Sequence, residues 1–220
     1  MPTSYNGWPA SPDLRTRPLV VAGESFSPGV LDDDDVYEVL RYVAEQMHTR
    51  VEPVVRDDWH QADDWGFSYR PNTNDPTRLS CHASATAIDY NATRHPNAVA
   101  TASTFTPAQI AEVHDILAEL DGVVVWGGDF RTTPDAMHFE LATTDRARLH
   151  AVAERIREGE DDMPYPEDQL RKIIRQESRA AVREELADVD DARIANPEKD
   201  GPGSRSPGVM LGLILTLPRK

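Results

Sequence analysis

The chain predicts an α+β protein: a small antiparallel sheet with flanking helices, followed by a C-terminal helix and a tail. Helical and strand-like periods mix over residues 1–158 without regular βαβ alternation, which argues against a parallel sheet. Two helix starts carry clear capping signals. After about residue 158 the sequence turns strongly charged and then rich in Pro, Gly and Ser, as expected of an appendage rather than a core.

Residues 33–49 place Val36, Val39, Leu40, Val43 and Met47 at helical spacing. The run Asp33-Asp34-Asp35 caps them and meets the positive end of the helix dipole. A second helix starts with Thr106 as N-cap and Pro107 at the first helical position. Its apolar face is Ile110, Val113, Leu117 and Leu120, and Gly122 marks its end. Val123-Val124-Val125-Trp126 follows as a buried strand, then the Gly127-Gly128 turn. A third helix at 145–158 uses Leu149, Val152 and Ile156. Short strands are expected at 51–55, 66–70, 87–90 and 138–141.

Residues 159–208 hold an acidic connector, a charged helix at 167–187 and a linker at 196–208. The helix carries Glu167/Arg171 and Asp168/Lys172 pairs at i,i+4. Its thin stripe of Leu170, Ile173, Ile174, Val182 and Leu186 suits a packed surface helix or self-association as a coiled coil. The apolar tail at 209–220 could form a strand or an interaction segment. No internal repeat is visible.

At 220 residues and 39% apolar content the chain supports one ordinary core with appendages, or two small domains. The net charge of −15 lies mostly before residue 142, and a nucleic-acid backbone would be repelled there. One cysteine excludes an intramolecular disulfide framework. In an extended segment Cys81 would point away from its neighbour His82 and stay a spectator. The apolar run at 209–217 is about half the length needed to span a bilayer. The opening Met1-Pro2-Thr3-Ser4 lacks the basic and apolar regions of a signal peptide, which predicts synthesis in the cytoplasm and release by another route.

Chemistry concentrates in two stretches, Ser80-Cys81-His82-Ala83-Ser84-Ala85-Thr86-Ala87-Ile88-Asp89 and Asp135-Ala136-Met137-His138-Phe139-Glu140. Two imidazoles and a carboxylate make a three-ligand zinc site with one position open, and a further carboxylate can serve as general base. His82 and Asp89 are too far apart for successive turns of one helix, and the small residues between them let a loop and a strand pack closely around a metal. Alone, a histidine and an aspartate at this spacing are a weak signal. The second stretch strengthens it.

Together these stretches resemble the signature of the VanY-type (M15) zinc metallopeptidases. That family includes D-Ala-D-Ala carboxypeptidases and dipeptidases, and phage endolysins that cut the L-alanyl-D-glutamate bond of peptidoglycan. Trp65-Gly66-Phe67-Ser68-Tyr69-Arg70-Pro71 and Trp126-Gly127-Gly128-Asp129-Phe130 extend the likeness in the same order. Ser4-Tyr5-Asn6-Gly7-Trp8-Pro9 resembles the start of lysin peptidase domains from phages of actinobacteria. The resemblance spans roughly residues 4 to 156 and implies a hedgehog/D-Ala-D-Ala-peptidase-like fold.

It also implies roles. His82, Asp89 and His138 would hold one Zn²⁺ per chain, and Asp135 would be the catalytic base. Arg70 would steady the oxyanion or a substrate carboxylate, against the plainer reading of a surface ion pair. Ser80 would hydrogen-bond the metal loop or the substrate. Trp126 fits a pocket wall or a core position, and Glu140 fits an orienting partner of a zinc histidine or a solvent-facing strand end. Among the other histidines, His48, His60, His114 and His150 read as surface or half-buried residues, while His95 could border the cleft. The sequence departs from the family at Ala85, where glycine is common; a positive φ there would strain alanine.

The function implied is cleavage of the L-Ala-D-Glu bond of peptidoglycan stem peptides by a phage endolysin during host lysis. Such an enzyme resides in the host cytoplasm before holin-dependent release and then acts on the cell wall. The alternatives are a D-Ala-D-Ala carboxypeptidase or dipeptidase with the same zinc chemistry, and a non-catalytic zinc-stabilised wall-binding module.

Overall fold

The structure, a computed structural model, describes residues 1–54 and 63–161. Its elements run β1 (Thr16–Val21), β2 (Glu24–Leu31), α1 (Asp34–Gln46), β3 (Ala87–Asp89), α2 (Pro107–Glu119), β4 (Val124–Trp126), β5 (His138–Leu141) and α3 (Arg146–Asp161). The fold is α+β with small antiparallel sheets, as the sequence predicts. The charged helix expected at 167–187, the linker and the tail lie outside the described residues, as does His60.

β1 and β2 form a hairpin that the sequence reading did not anticipate. Ala22 and Gly23 connect them with φ of 51° and 93°; two positive φ values make the two-residue turn that matches strand twist. Leu19, Val21, Phe26 and Val30 face the core from this ribbon, each such burial contributing roughly 1.5–3 kcal/mol. The outer side of β2 carries the segment that follows Asp64. The Gly66 and Phe67 amides donate to the Ser27 and Gly29 carbonyls at 3.0 and 2.7 Å. A Cβ on Gly66 would lie 2.1 Å from the Gly29 carbonyl oxygen, so this approach requires glycine. Residues 66–70 are therefore held by single bridges beside them rather than as the expected strand.

α1 starts where expected. Asp33 accepts from the amides of Asp35 and Val36, and Val36, Val39, Leu40, Val43 and Ala44 are buried. Burial opposes the Asp33 charge, but Arg146 and those two amides outweigh it and hold the carboxylate below its ordinary range. A π turn, Met47–Val51, closes the helix. Val51 thus belongs to a helical turn, and residues 51–54 form no strand. α2 has the predicted start, with Thr106 and Gln109 forming a reciprocal capping box. Its buried face also includes Ile116. α3 packs against α1 through Leu149, Val152, Ala153 and Ile156.

The second sheet has the order β3-β5-β4, so β5 is central. Its pairing sets Ile88 opposite Phe139, and Trp126 opposite Phe139 on the other side. These three are buried on the core face, where the Trp126 and Phe139 rings stack at 6.1 Å.

Candidate metal centre

Strand alternation separates the core face of this sheet from the site face. Asp89 is the direct cross-strand partner of His138, and Ala87 that of Glu140. The small Ala87 leaves room for the Glu140 chain to lie along the sheet. His82 arrives from a 3₁₀ turn, Cys81–Ser84, capped by Ser80, whose Oγ accepts from the His82 N–H at 3.3 Å. The chain then reverses at Ala85, with φ of 56° and ψ of 30°. Alanine does occupy a left-handed position here, at a cost of roughly 1–2 kcal/mol. The loop is tied down on both sides: Ser84 Oγ is 2.8 Å from Ser4 Oγ and 2.8 Å from Thr86 Oγ1.

Three side chains converge. His82 Nε2 lies 3.1 Å from Asp89 Oδ1 and 3.1 Å from His138 Nδ1, and His138 Nδ1 lies 2.9 Å from Asp89 Oδ1. Tetrahedral zinc with bonds of about 2.0–2.1 Å separates its ligand atoms by roughly 3.3 Å, so this triangle needs little change to hold an ion. The outer nitrogens decide what the inner ones carry. His82 Nδ1 lies 2.5 Å from the Gly66 carbonyl, which only accepts. His138 Nε2 lies 2.9 Å from Glu140 Oε2, again an acceptor. Each neutral ring therefore has its proton on the outside and its lone pair directed inward. With both rings neutral, two lone pairs and a carboxylate face one another, an arrangement that a bound cation satisfies and that a proton on His138 satisfies in the metal-free protein. The residues present fit a metal, and they can hold one.

Electrostatics agree. Burial opposes the Asp89 charge, but His82 and His138 more than offset it and hold the carboxyl far below its ordinary range. In the metal-free protein His138 titrates well above an ordinary histidine; burial works against this, and Asp89, Cys81 and Glu140 overcome it. Cys81 differs from expectation. It sits in the 3₁₀ turn rather than in an extended segment, and its buried thiol meets His138 and Glu140 on the far side of the ring from His82. Burial pushes its pKa up, which favours the neutral thiol.

Asp135 lines the same cleft, about 430 Å³ in volume, together with His82, Asp89 and His138. Its N–H donates to the Gly127 carbonyl at 2.8 Å, and its own carbonyl accepts from His138 N at 3.0 Å. Its Oδ1 is buried and has no hydrogen-bond partner among the described residues. Burial raises its pKa, with Asp89 adding to the rise and His138 and Asn97 opposing it.

Arg70 is exposed on the cleft, and Nη1 donates to Thr73 Oγ1 at 3.0 Å; no carboxylate pairs with it among the described residues. Ser80 lines the cleft as well as capping the turn. Trp126 lies in the core, off the cleft wall, and its Nε1–H donates to the Ala136 carbonyl at 2.7 Å. His95 is also away from the cleft, 2.8 Å from Glu52 and stacked on Phe105. His114 and His150 are exposed beside Asp129 and Asp35. His48 Nδ1 accepts from the Val54 amide. The sequence reading did not single out Tyr5, Asn97, Phe130 or Arg131, all of which line the cleft. Only Tyr5 and Phe130 stood within motifs that could have pointed to them.

A family model of the M15 peptidases, described as D-alanyl-D-alanine carboxypeptidase, matches residues 73–141. The matched segment contains His82, Asp89, Asp135 and His138 and ends with β5. It supports a relationship to M15 peptidases and, at that level, a hydrolase acting on peptidoglycan. No curated protein and no solved structure matches the chain.

Proposed function

We propose that this chain is a zinc metallopeptidase that cleaves the L-Ala-D-Glu bond of peptidoglycan stem peptides, in the manner of a phage endolysin during host lysis. The observation that carries the metallopeptidase reading is the inward-facing His82, Asp89 and His138 donor set with the unpartnered Asp135 oxygen beside it. Nitrogen and oxygen donors at this spacing suit zinc. The choice of bond and the holin-dependent release rest on the likeness of the motifs.

His82, Asp89 and His138 would hold the ion, and Gly66 and Glu140 keep the two imidazoles in the tautomer that leaves the inner nitrogens free. The ion supplies Lewis acidity, which lowers the pKa of water and polarises a carbonyl. Asp135 then accepts a proton from the attacking water and passes it to the leaving amine. Arg70, at the cleft rim, supplies positive charge toward the oxygen of the tetrahedral intermediate or a substrate carboxylate.

A D-Ala-D-Ala carboxypeptidase or dipeptidase is the second reading, favoured by the description of the matching family model. Digestion of purified peptidoglycan with and without a chelator, with products identified by mass spectrometry, separates the two. New N-terminal D-Glu or D-isoglutamine supports the endopeptidase; loss of terminal D-Ala alone rejects it. Asp135→Ala is expected to retain zinc and lose hydrolysis, and normal turnover by this variant would remove Asp135 from the mechanism.

A further inference from the structure

Between Phe130 and Asp135 the chain forms a short arch whose two ends are pinned by one atom. The Gly127 carbonyl accepts from the Phe130 amide at 3.1 Å and from the Asp135 amide at 2.8 Å. The Pro134 carbonyl is further fixed by the Ala98 amide at 2.8 Å. Both feet of the arch stand at the metal centre: the Phe130 ring lies 6.4 Å from the His138 ring, and Asp135 lines the cleft. Arg131 is the first residue of the arch. It is exposed and lines the cleft.

Its charge is unmatched, like that of Arg70 on the same cleft, but Arg70 is tied to Thr73 and Arg131 to no described residue. Arg17, Arg41, Arg50, Arg155 and Arg157 each meet a carboxylate. Arg131 has no hydrogen bond or ion pair with any described residue, in a chain whose net charge is −15. The acids of the cleft do not take it: Asp89 is held by the two histidines, Glu140 by His138 and Asp75 by Thr77, and Asp135 makes no ion pair with it. An unmatched guanidinium on a support fixed at both ends, on the cleft that holds the candidate metal centre, is placed to receive an anion from the ligand.

We propose that Arg131 is a specificity-determining residue whose guanidinium binds a free carboxylate of the substrate beside the scissile bond. This rests on the stem-peptide reading given above. There, D-Glu is linked onward through its γ-carboxyl, so its α-carboxylate is the free anion closest to the bond. Amidation of that group removes the charge and one acceptor oxygen, and Arg131 therefore discriminates D-Glu from D-isoglutamine peptides.

The test uses the zinc-loaded full chain and two synthetic peptides, L-Ala-γ-D-Glu-L-Lys and its D-isoglutamine counterpart. Wild type is expected to prefer the carboxylate peptide by about tenfold to a hundredfold in kcat/KM, mainly through KM. Arg131→Ala should abolish the preference with kcat changed little, and Arg131→Lys should restore part of it. Equal use of both peptides by wild type, a preference kept by Arg131→Ala, or an equal loss of kcat on both peptides would overturn the proposal. If wild type cuts neither peptide, the endopeptidase reading falls. Calorimetric binding of the same pair then decides the subsite: a preference lost in Arg131→Ala supports it, and equal binding by wild type overturns it.

Discussion

Replacing Gly127 with alanine tests how tightly Asp135 is positioned. A Cβ at residue 127 would lie 2.4 Å from the Asp135 carbonyl oxygen and 3.0 Å from its Cβ. Ordinary contact begins near 3.4 Å, so Asp135 must retreat by up to about 1 Å. The obstacle is backbone, and the same backbone is hydrogen-bonded to Gly127, so it cannot swing aside as a side chain would. Overpacking of this type costs about 1–3 kcal/mol of stability. A 1 Å misplacement of a reacting group lowers turnover by about a hundredfold, equivalent to ~2.7 kcal/mol in the barrier. Asp89 and His138 are held by the β3–β5 pairing and His82 by its Ser80-capped turn, so the three should keep the metal. The expected result is a folded variant with one equivalent of zinc and kcat on a stem peptide reduced by two orders of magnitude. Gly159→Ala is the control, since a Cβ there meets nothing within 4 Å; lying within α3, it should stabilise by roughly 0.5–1 kcal/mol and leave kcat alone. A Gly127→Ala protein that unfolds at nearly the wild-type temperature and turns over within threefold of wild type would refute the reasoning.

Glu140→Gln keeps the shape but removes the charge that holds the His138 Nε2 proton; zinc affinity, measured against a chromophoric chelator, should fall about tenfold to a hundredfold. Asp64 is buried, and burial first, then Asp63, Glu24 and Glu52, push its pKa up to about 7 against the opposing Asn91 amide. Its folded pKa exceeds the unfolded 3.8, so its contribution is fully present below about pH 4 and is lost as pH rises through about 7. Asp64→Asn should therefore match wild type near pH 4 and exceed it above pH 8, by on the order of 2–4 kcal/mol in denaturant titrations. Trp126→Phe leaves the buried Ala136 carbonyl without its donor and should cost about 1–3 kcal/mol of stability, with KM unchanged because the ring is off the cleft.

The convergence of the candidate ligands was more legible than the scaffold that presents them. His82, Asp89 and His138 stand in short, ordered motifs, and strand alternation carries Glu140 to the same face as His138. Capping signals were equally local, so α1 and α2 begin where Asp33 and Thr106 place them. The β1–β2 hairpin was missed because Pro18 and Pro28 interrupt its strands and mask the alternation of Leu19, Val21, Phe26 and Val30. Residues 66–70 have strand composition, yet the close approach of Gly66 to Gly29 leaves only single bridges. Cys81 stays outside the His82, Asp89 and His138 set, as expected, although a 3₁₀ turn and not an extended segment places it there. Arg131 could not be read at all: its place at the cleft depends on Gly127, Ala98 and Asp135 meeting in space.

With zinc bound as proposed, the register Asp89↔His138 would also make metal occupancy a proofreader of strand pairing. A slip of one residue between β3 and β5 would turn Ile88 or Tyr90 toward His138 and send Asp89 into the apolar layer. The misaligned sheet would lose its carboxylate donor, and the ion would bind it far less well than the native one. Binding free energy is thereby added selectively to the correctly paired chain. Refolding with zinc present should reject the shifted pairing that a three-residue strand such as β3 is too short to exclude by itself.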